Sequence, residues 1–153
     1  MKSKTLVSLA VWLAAGAVCF AANPQMGTWK LNEKKSKLGH GMGKNSTVLY
    51  ESGFFKTKVT IDGTDAKGKP MHSEWSGNFD GKDYAVTGDP TSDMRSYNKV
   101  DDRTLTFTAK KGGKVTITGR IVVAADGKSR TVHATGTNSK GKKFHNVVVY
   151  DKA

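Results

Sequence analysis

The four histidines are the side chains of this sequence best suited to metal or acid–base chemistry. In the strand registers inferred below, His133 and His145 form a diagonal pair on a polar face, roughly 7 to 8 Å apart. His72 lies opposite Asp62, and His40 stands in a glycine-rich segment with no other ligand converging on it. Because a metal site needs three or four converging ligands, we expect no metal and no cofactor.

Catalysis is the second kind of chemistry that the sequence could support. The sequence contains neither the Gly-x-Ser-x-Gly turn of hydrolases nor a glycine-rich phosphate loop. Asp62 and Glu74 can share the outer face of a sheet, but nothing arranges them as an acid and a base. We therefore expect that the protein is not an enzyme.

Noncovalent binding of a small apolar ligand is the remaining chemistry, and it needs a lumen lined by apolar walls and a few polar anchors. The candidate lumen residues are Trp75, Tyr84, Arg95, Tyr97, Phe107 and Tyr150. Small residues on the same face would either leave room near one end or bend the strands; they are Ser73, Gly77, Gly119, Ala134 and Gly136.

The elements that must position these side chains are β-hairpins. Residues 63–73 are echoed at 136–146, and each copy contains a polar turn with glycine at Gly68 or Gly141. That pattern is typical of a three-residue loop with glycine in the left-handed region. Turn signals recur about every ten residues, which predicts ten strands and no major helix after the N-terminal leader.

Hairpin registers test this prediction, because loop length fixes which side chains share a face. The loops pair Val59 with Trp75, Phe107 with Ile117, and Ala109 with Val115. Every register keeps the apolar residues on one side, including Phe55, Val59, Trp75, Phe107, Val115, Ile117, Ile121, Val132 and Tyr150. Lysine, threonine and histidine alternate with them. A meander of this kind should curl and close, so we predict an all-β, single up-and-down barrel of about 8–10 antiparallel strands.

One hairpin leaves two alternatives open. If the loop at Asp101-Asp102 has an even length, Met94 and the residues in phase with it point inward. If it has an odd length, Arg95 and Tyr97 point inward. A buried cation costs several kcal/mol unless an anion meets it, which favours Arg95 in solvent, whereas a ligand-binding lumen would favour Arg95 and Tyr97 inside.

The N-terminus has the pattern of a secretory signal peptide. Two lysines precede an apolar run over residues 6–20 and a small-residue exit, which predicts cleavage after Ala21 and a domain over residues 22–153. Cys19, the only cysteine, would leave with the signal. We expect a secreted or periplasmic protein. An uncleaved anchor and a lipidated Cys19 are the alternatives.

Charge suggests the partners. The whole chain carries +12, and +10 remains without Lys2 and Lys4. This balance favours anionic surfaces or polymers, although scattered lysines are also typical of a solvated exterior. We expect no specific nucleic acid and a monomer.

Both ends of the domain resemble a known group. Gly27-Thr28-Trp29-Lys30-Leu31 resembles the opening of lipocalins and, more closely, of fatty-acid-binding proteins, both calycin barrels. The closing stretch at residues 148–152 resembles the last strand of the latter. The resemblance implies a packing role for Trp29 at the barrel bottom and an Arg-x-Tyr carboxylate clamp. Here only Tyr150 matches, Val148 stands at the arginine position, and Arg95 or Arg130 would have to supply the cation.

Two features depart from the fatty-acid-binding proteins. They are intracellular and have two helices between the first strands, whereas residues 33–44 here are short and glycine-rich. We interpret the chain as a lipocalin-like barrel that binds a small hydrophobic ligand in its lumen. The alternative is a basic interaction protein with a filled core that docks on anionic envelope polymers.

Overall fold

Ten antiparallel strands form the part of the protein that the structure describes, as the all-β meander predicts. The computed structural model describes residues 22–153, and the predicted signal peptide lies outside the described residues. The strands are β1 (Gly27–Leu31), β2 (Lys44–Ser52), β3 (Thr57–Thr64), β4 (Pro70–Gly77), β5 (Tyr84–Thr87), β6 (Met94–Asp101), β7 (Thr104–Lys111), β8 (Lys114–Val123), β9 (Ser129–Thr137) and β10 (Lys143–Lys152). One 3-10 turn, Glu33–Lys35, lies between β1 and β2.

The sheet closes on itself. Each strand pairs with the next along the chain, and β1 also pairs with β10, where Trp29 lies opposite Lys152 and Leu31 opposite Tyr150. Closure leaves no free strand edge to template further pairing. Within residues 22–153, no helix has the length and apolar character to cross a membrane.

Because consecutive strands are antiparallel neighbours, their connections alternate between two ends of the barrel. We call one end the mouth; it holds residues 32–43, 65–69, 88–93, 112–113 and 138–142. The other, which we call the closed end, holds residues 22–26, 53–56, 78–83, 102–103 and 124–128.

The N-terminal segment crosses the closed end. Gln25 is 1% exposed, and its side-chain amide donates to the Arg103 carbonyl in the connection between β6 and β7 (3.1 Å). The indole of Trp29 is fully buried and donates to the Gln25 carbonyl (2.9 Å). These two bonds fix the segment beneath the core and place Trp29 at the bottom of the barrel.

The two echoed turns have the predicted geometry. In the first, Asp65 and Lys69 are joined by a backbone hydrogen bond, and Gly68 has φ +78°. In the second, Asn138 and Lys142 are joined in the same way, and Gly141 has φ +74°. Only glycine adopts this region without a steric cost, which explains why both copies keep it.

The inward apolar face is confirmed for most of its members. Its buried core is Trp29, Val48, Tyr50, Val59, Ile61, Trp75, Val86, Tyr97, Leu105, Ile121, Val123, Val148 and Tyr150. Phe55 is an exception, because β3 begins at Thr57 and Phe55 lies in the preceding turn. Phe54 and Phe55 are 93% and 81% exposed at the closed end, with ring centroids 4.6 Å apart.

Val115 is the second exception, and a β-bulge is the cause. The register shifts between Ala109 and Lys110, so Lys110 lies opposite Val115 while Ala109 lies opposite Ile117. The predicted pairs Ala109–Val115 and Phe107–Ile117 are therefore wrong. A bulge adds one residue to one strand, and it turns Val115 to solvent, where it is 57% exposed.

The small inward residues make room for neighbouring aromatic rings. A Cβ added at Gly119 would overlap the Phe107 ring, and one at Gly77 would lie 2.5 Å from the Tyr84 ring. A Cβ at Gly136 would lie 2.9 Å from the Phe144 ring. Aromatic side chains from the adjacent strand thus fill the space beside each of these glycines, and that space is not free for a ligand.

Candidate ligand-binding lumen

A cavity of about 630 Å³ occupies the barrel between its mouth and the residues above the closed end. Its walls are apolar side chains such as Val48, Ile61 and Ile121, and its rim is formed by loop residues at the mouth. Protein pockets that bind small molecules have volumes of about 300–1,000 Å³ and mostly apolar walls. The barrel is therefore hollow, with a size and lining suited to a small apolar molecule.

Arg95 and Tyr97 point into this cavity, so the second of the two alternatives holds, and the solvent-facing placement that the charge of Arg95 favoured is wrong. They are 8% and 3% exposed, and both line the cavity. The connection between β6 and β7 is short, and the register shifts between Lys99 and Asp101. The unpaired Val100 makes the number of residues between paired positions odd. It therefore turns Arg95 and Tyr97, which precede it in β6, to the inner face of the barrel.

An anion meets the buried Arg95, as a buried cation requires. Its Nη2 donates to Oδ2 of Asp89 at 2.8 Å, and both side chains are about one-tenth exposed. The Asp89 carboxylate also accepts from the hydroxyls of Ser92 and Thr91, both at 2.7 Å. This network folds residues 89–92 into the mouth and leaves Arg95 paired within the protein.

The environment of Asp89 favours its ionised form. Burial acts against the charge, but hydrogen bonds from Ser92 and Thr91, together with the charge of Arg95, hold the pKa of Asp89 below its ordinary value. The carboxylate is therefore ionised at neutral pH, and the ion pair is intact.

Arg130 forms the floor of the cavity, where it has no carboxylate partner among residues 22–153. It is 2% exposed, and its Cζ lies 4.9 Å from the Trp29 ring, 4.8 Å from Tyr50 and 5.0 Å from Tyr150. Within the described residues, its Nε and Nη1 are buried and have no hydrogen-bond partner. The three rings stabilise the cation through their faces, but they leave these donors unused.

The two tyrosines beside Arg130 remain neutral. Burial raises the pKa of the Tyr150 hydroxyl to about 12, although the charge of Arg130 lowers it in part. Burial also raises the pKa of Tyr50, and the neighbouring Tyr97 adds to the effect. Both phenols therefore keep their protons at neutral pH. The floor of the cavity combines an arginine with two hydroxyls that can donate.

Four of the six candidate lumen residues line the cavity: Arg95, Tyr97, Phe107 and Tyr150. The other two pack below it. Trp75 is 2% exposed and its indole donates to the Arg95 carbonyl, while the Tyr84 hydroxyl donates to Asp80 on the outside of the closed end.

Val48, Tyr50 and Arg130 line the cavity but were not placed there from the sequence, and Arg130 entered only as a possible cation for the clamp that the resemblance implies. The signal was present, because Arg130 is in phase with Val132 and Ala134 along β9, and both belong to the inward face. It also lies opposite Tyr150 in the β9–β10 ladder. Periodicity alone would therefore have placed it inside.

Part of the connection between β1 and β2 packs against β10 and narrows the mouth. Lys37 and Val147 exchange two backbone hydrogen bonds, at 2.7 and 3.0 Å. The amide oxygen of buried Asn146 accepts from the Gly39 backbone at 2.8 Å. Leu38 lines the cavity from this segment. The segment thus covers one side of the opening without a helical lid.

His72, His133 and His145 lie where the registers predict, on the outer face, and His40 lies in the connection between β1 and β2. His133 and His145 are a diagonal pair with ring centroids 6.1 Å apart, and His72 lies opposite Asp62, to which its Nδ1 is bonded at 2.5 Å. Nε2 of His72 lies 3.4 Å from Glu74. Across residues 22–153, no group of three or more potential ligands is arranged to hold a metal ion.

Comparison with known proteins gives structural likeness only. No protein-family model matches the sequence, and no curated protein matches it. The solved structure of a redesigned β-barrel, mFAP1, bound to DFHBI is similar over 86% of this chain and 98% of its own, with 18% identity and a TM-score of 0.44. A second redesigned β-barrel is similar over 89% of this chain and 97% of its own, with 13% identity and a TM-score of 0.45.

Proposed function

We propose that this protein is a secreted or periplasmic, lipocalin-like carrier that binds a small amphipathic ligand in its lumen. The ligand has an apolar body and one anionic group, and the anionic group binds at Arg130. The observation that carries the proposal is a buried arginine at the floor of an apolar cavity with two unused donor atoms.

The apolar body of the proposed ligand is inferred from the side chains that form the walls of the cavity. The cavity is lined mainly by aliphatic and aromatic side chains, and its volume of about 630 Å³ is too large for the filled core that the alternative function required. Removing an apolar molecule from water contributes about 25 cal/mol per Å² of buried surface. Such a ligand therefore gains free energy by entering a cavity with these walls.

The anionic group of the proposed ligand is inferred from Arg130 at the floor of the cavity. A buried guanidinium without an anion is costly, and a buried donor left without an acceptor costs about 1 to 3 kcal/mol. A carboxylate or similar oxyanion at the floor of the cavity would neutralise the charge of Arg130 and could also accept from Tyr50 or Tyr150. Hydrogen bonds between charged groups are about twice as strong as neutral ones, so this contact favours an anion over a neutral polar group.

Arg95 is a weaker candidate for the same role. Its charge is already neutralised by Asp89, and its Nη2 is engaged by Asp89 and Ser92. An incoming anion would have to compete with a carboxylate that is fixed in place. We assign Arg95 to the mouth, where it positions residues 89–92.

Displacement of a neutral probe tests the proposal. The mature domain, residues 22–153, is titrated with N-phenyl-1-naphthylamine, and the bound probe is displaced with dodecanoate or with dodecanol. These two competitors share a chain length and differ in charge. We expect dodecanoate to compete at least about tenfold better, as a charge-assisted bond predicts.

Two variants test whether Arg130 causes the difference between dodecanoate and dodecanol. Arg130→Gln should bring the two competitors to similar potency, whereas Arg120→Gln should leave the difference intact, because Arg120 is exposed on the outer face opposite His133. If the probe shows no saturable uptake by the folded domain, the carrier proposal is wrong. If the probe binds and dodecanol competes as well as dodecanoate, the assignment of the anion to Arg130 is wrong.

A further inference from the structure

The lysines of this protein are concentrated at one end of the barrel. The mouth connections and the strand residues that adjoin them hold eleven lysines against four carboxylates: Lys34, Lys35, Lys37, Lys44, Lys67, Lys69, Lys111, Lys114, Lys140, Lys142 and Lys143 against Glu33, Asp65, Asp89 and Asp93. The closed end, counted in the same way, holds five basic residues and five acidic ones: Lys56, Lys82, Arg103, Lys128 and Lys152 against Asp80, Asp83, Asp101, Asp102 and Asp126. The excess charge is therefore polarised toward the mouth.

Most of this charge is free to meet a partner. Ten of the eleven mouth lysines are exposed, and within residues 22–153 only Lys44 is in an ion pair, with Glu33. All four carboxylates are engaged by the protein: Asp89 is buried against Arg95, Glu33 pairs with Lys44, and Asp65 and Asp93 accept from backbone amides of the mouth turns. The lysines thus outnumber the carboxylates that could neutralise them at the surface.

We propose that the mouth docks on an anionic lipid bilayer, with the barrel axis directed at the membrane and the lumen opening toward it. The lysines lie on four of the five mouth connections, around an opening instead of along a groove. A flat surface can contact all four connections together, whereas an extended polymer would follow a groove. Each lysine or arginine near an anionic membrane contributes about fivefold to affinity, and the attraction is screened by salt.

The aromatic pair at the opposite end gives a competing orientation. Phe54 and Phe55 are almost fully exposed at the closed end, and exposed aromatic side chains can insert into a bilayer interface. The neutral charge balance of that end offers no attraction to anionic lipid. The two orientations therefore differ in salt dependence and in the residues on which they depend.

Co-sedimentation with vesicles tests the docking without any ligand in the lumen, so its outcome is independent of the proposed function. The mature domain is mixed with vesicles of phosphatidylcholine alone or with one quarter phosphatidylglycerol, over a range of salt concentrations. We expect binding only to the anionic vesicles, lost as salt increases. Changing Lys35, Lys114, Lys140 and Lys142 to Gln should weaken it more than about tenfold. None of these four lines the cavity.

The matched control removes the same charge from the other end. Changing Lys56, Lys82, Arg103 and Lys128 to Gln should weaken binding by no more than about threefold, since these residues lie at the closed end. An environment-sensitive dye on Ser139→Cys should report contact with the vesicle, whereas the same dye on Ala125→Cys should not. Residues 22–153 contain no cysteine that would compete for the label.

Four results would overturn the proposal. The first is an equal loss of vesicle affinity in the mouth and closed-end charge variants, and the second is loss of vesicle binding in Phe54→Ser/Phe55→Ser while the mouth variant still binds. The third is equal affinity for neutral and anionic vesicles. The fourth is tighter binding to soluble polyphosphate than to anionic vesicles. The second result would mean that the closed end inserts. The last would identify a polymer as the partner.

Discussion

Arg130 lies directly opposite Tyr150 across the β9–β10 ladder, and its guanidinium carbon is 5.0 Å from the centre of the phenol ring. The same guanidinium is within 4.9 Å of the Trp29 and Tyr50 rings. Four strands therefore converge on one cation at the bottom of the lumen. Arg95, the other buried arginine, differs in having a carboxylate partner, and this difference predicts opposite results when each is replaced.

Replacing each arginine with methionine tests whether Arg95 stabilises the fold and whether Arg130 is instead available to a ligand. Arg95→Met leaves Asp89 as an unpaired buried carboxylate, so the free energy of unfolding should decrease by about 3 to 5 kcal/mol. Arg130→Met removes a cation with no anionic partner and loses only its contacts with the rings, so the change should stay within about 2 kcal/mol. Urea unfolding followed by tryptophan fluorescence measures both. A larger loss for Arg130→Met than for Arg95→Met would contradict this assignment.

Acid should release the ion pair at the mouth. Because the folded-state pKa of Asp89 is depressed, its contribution to stability is fully present above the ordinary value of about 3.9 and is lost as pH falls through the folded pKa. The unfolding free energy of the wild type should therefore exceed that of Asp89→Asn at neutral pH. The gap should narrow below about pH 4. A gap that stays constant down to about pH 2.5 would refute the role of Asp89.

His72 should titrate above an unpaired histidine. Hydrogen bonds to Asp62 and then to Glu74 raise its pKa, and the charge of Asp62 adds to the effect. Any stabilisation from this exposed cluster is present below the ordinary pKa of about 6.5 and is lost as pH rises through the folded pKa. NMR of the imidazole protons should show the pKa of His72 falling toward its ordinary value in Asp62→Asn. An unchanged titration in that variant would mean that Asp62 is not the cause.

Gly119 is expected to tolerate no side chain. An added Cβ would overlap the Phe107 ring and would lie 2.5 Å from the His133 carbonyl oxygen, which belongs to a neighbouring strand. Gly119→Ala should therefore lower the free energy of unfolding by about 2 kcal/mol or more. Thr118→Ala, at the exposed neighbouring position, loses only a cross-strand contact with the Thr135 hydroxyl and should stay within about 1 kcal/mol. Urea unfolding measures both variants, and equal effects would show that the Phe107 ring can move aside.

Loop length and β-bulges decide which faces of the strands a sequence pattern predicts. The turns at Gly68 and Gly141 were predicted because a short loop of polar residues and glycine is a local signal, and the faces of β3, β4, β9 and β10 follow from counting residues around them. The predicted face of Val115 is wrong, and the face of Arg95 stays open in the sequence, for a shared reason. A bulge near each of them adds one residue to one strand, and no local sequence pattern distinguishes a bulged residue from a paired one.

The sequence by itself determined an all-β meander with an apolar inner face, because alternation and loop length are local properties that need no knowledge of distant residues. Only the tertiary structure decided what the lumen contains. Pairing of β1 with β10 brings Trp29 and Tyr50 to Arg130 from the other end of the chain, and the inward fold of residues 89–92 gives Arg95 its anion. Closure also gathers the lysines of four separate connections around one opening. These are contacts between residues far apart along the chain, and they depend on how the barrel closes.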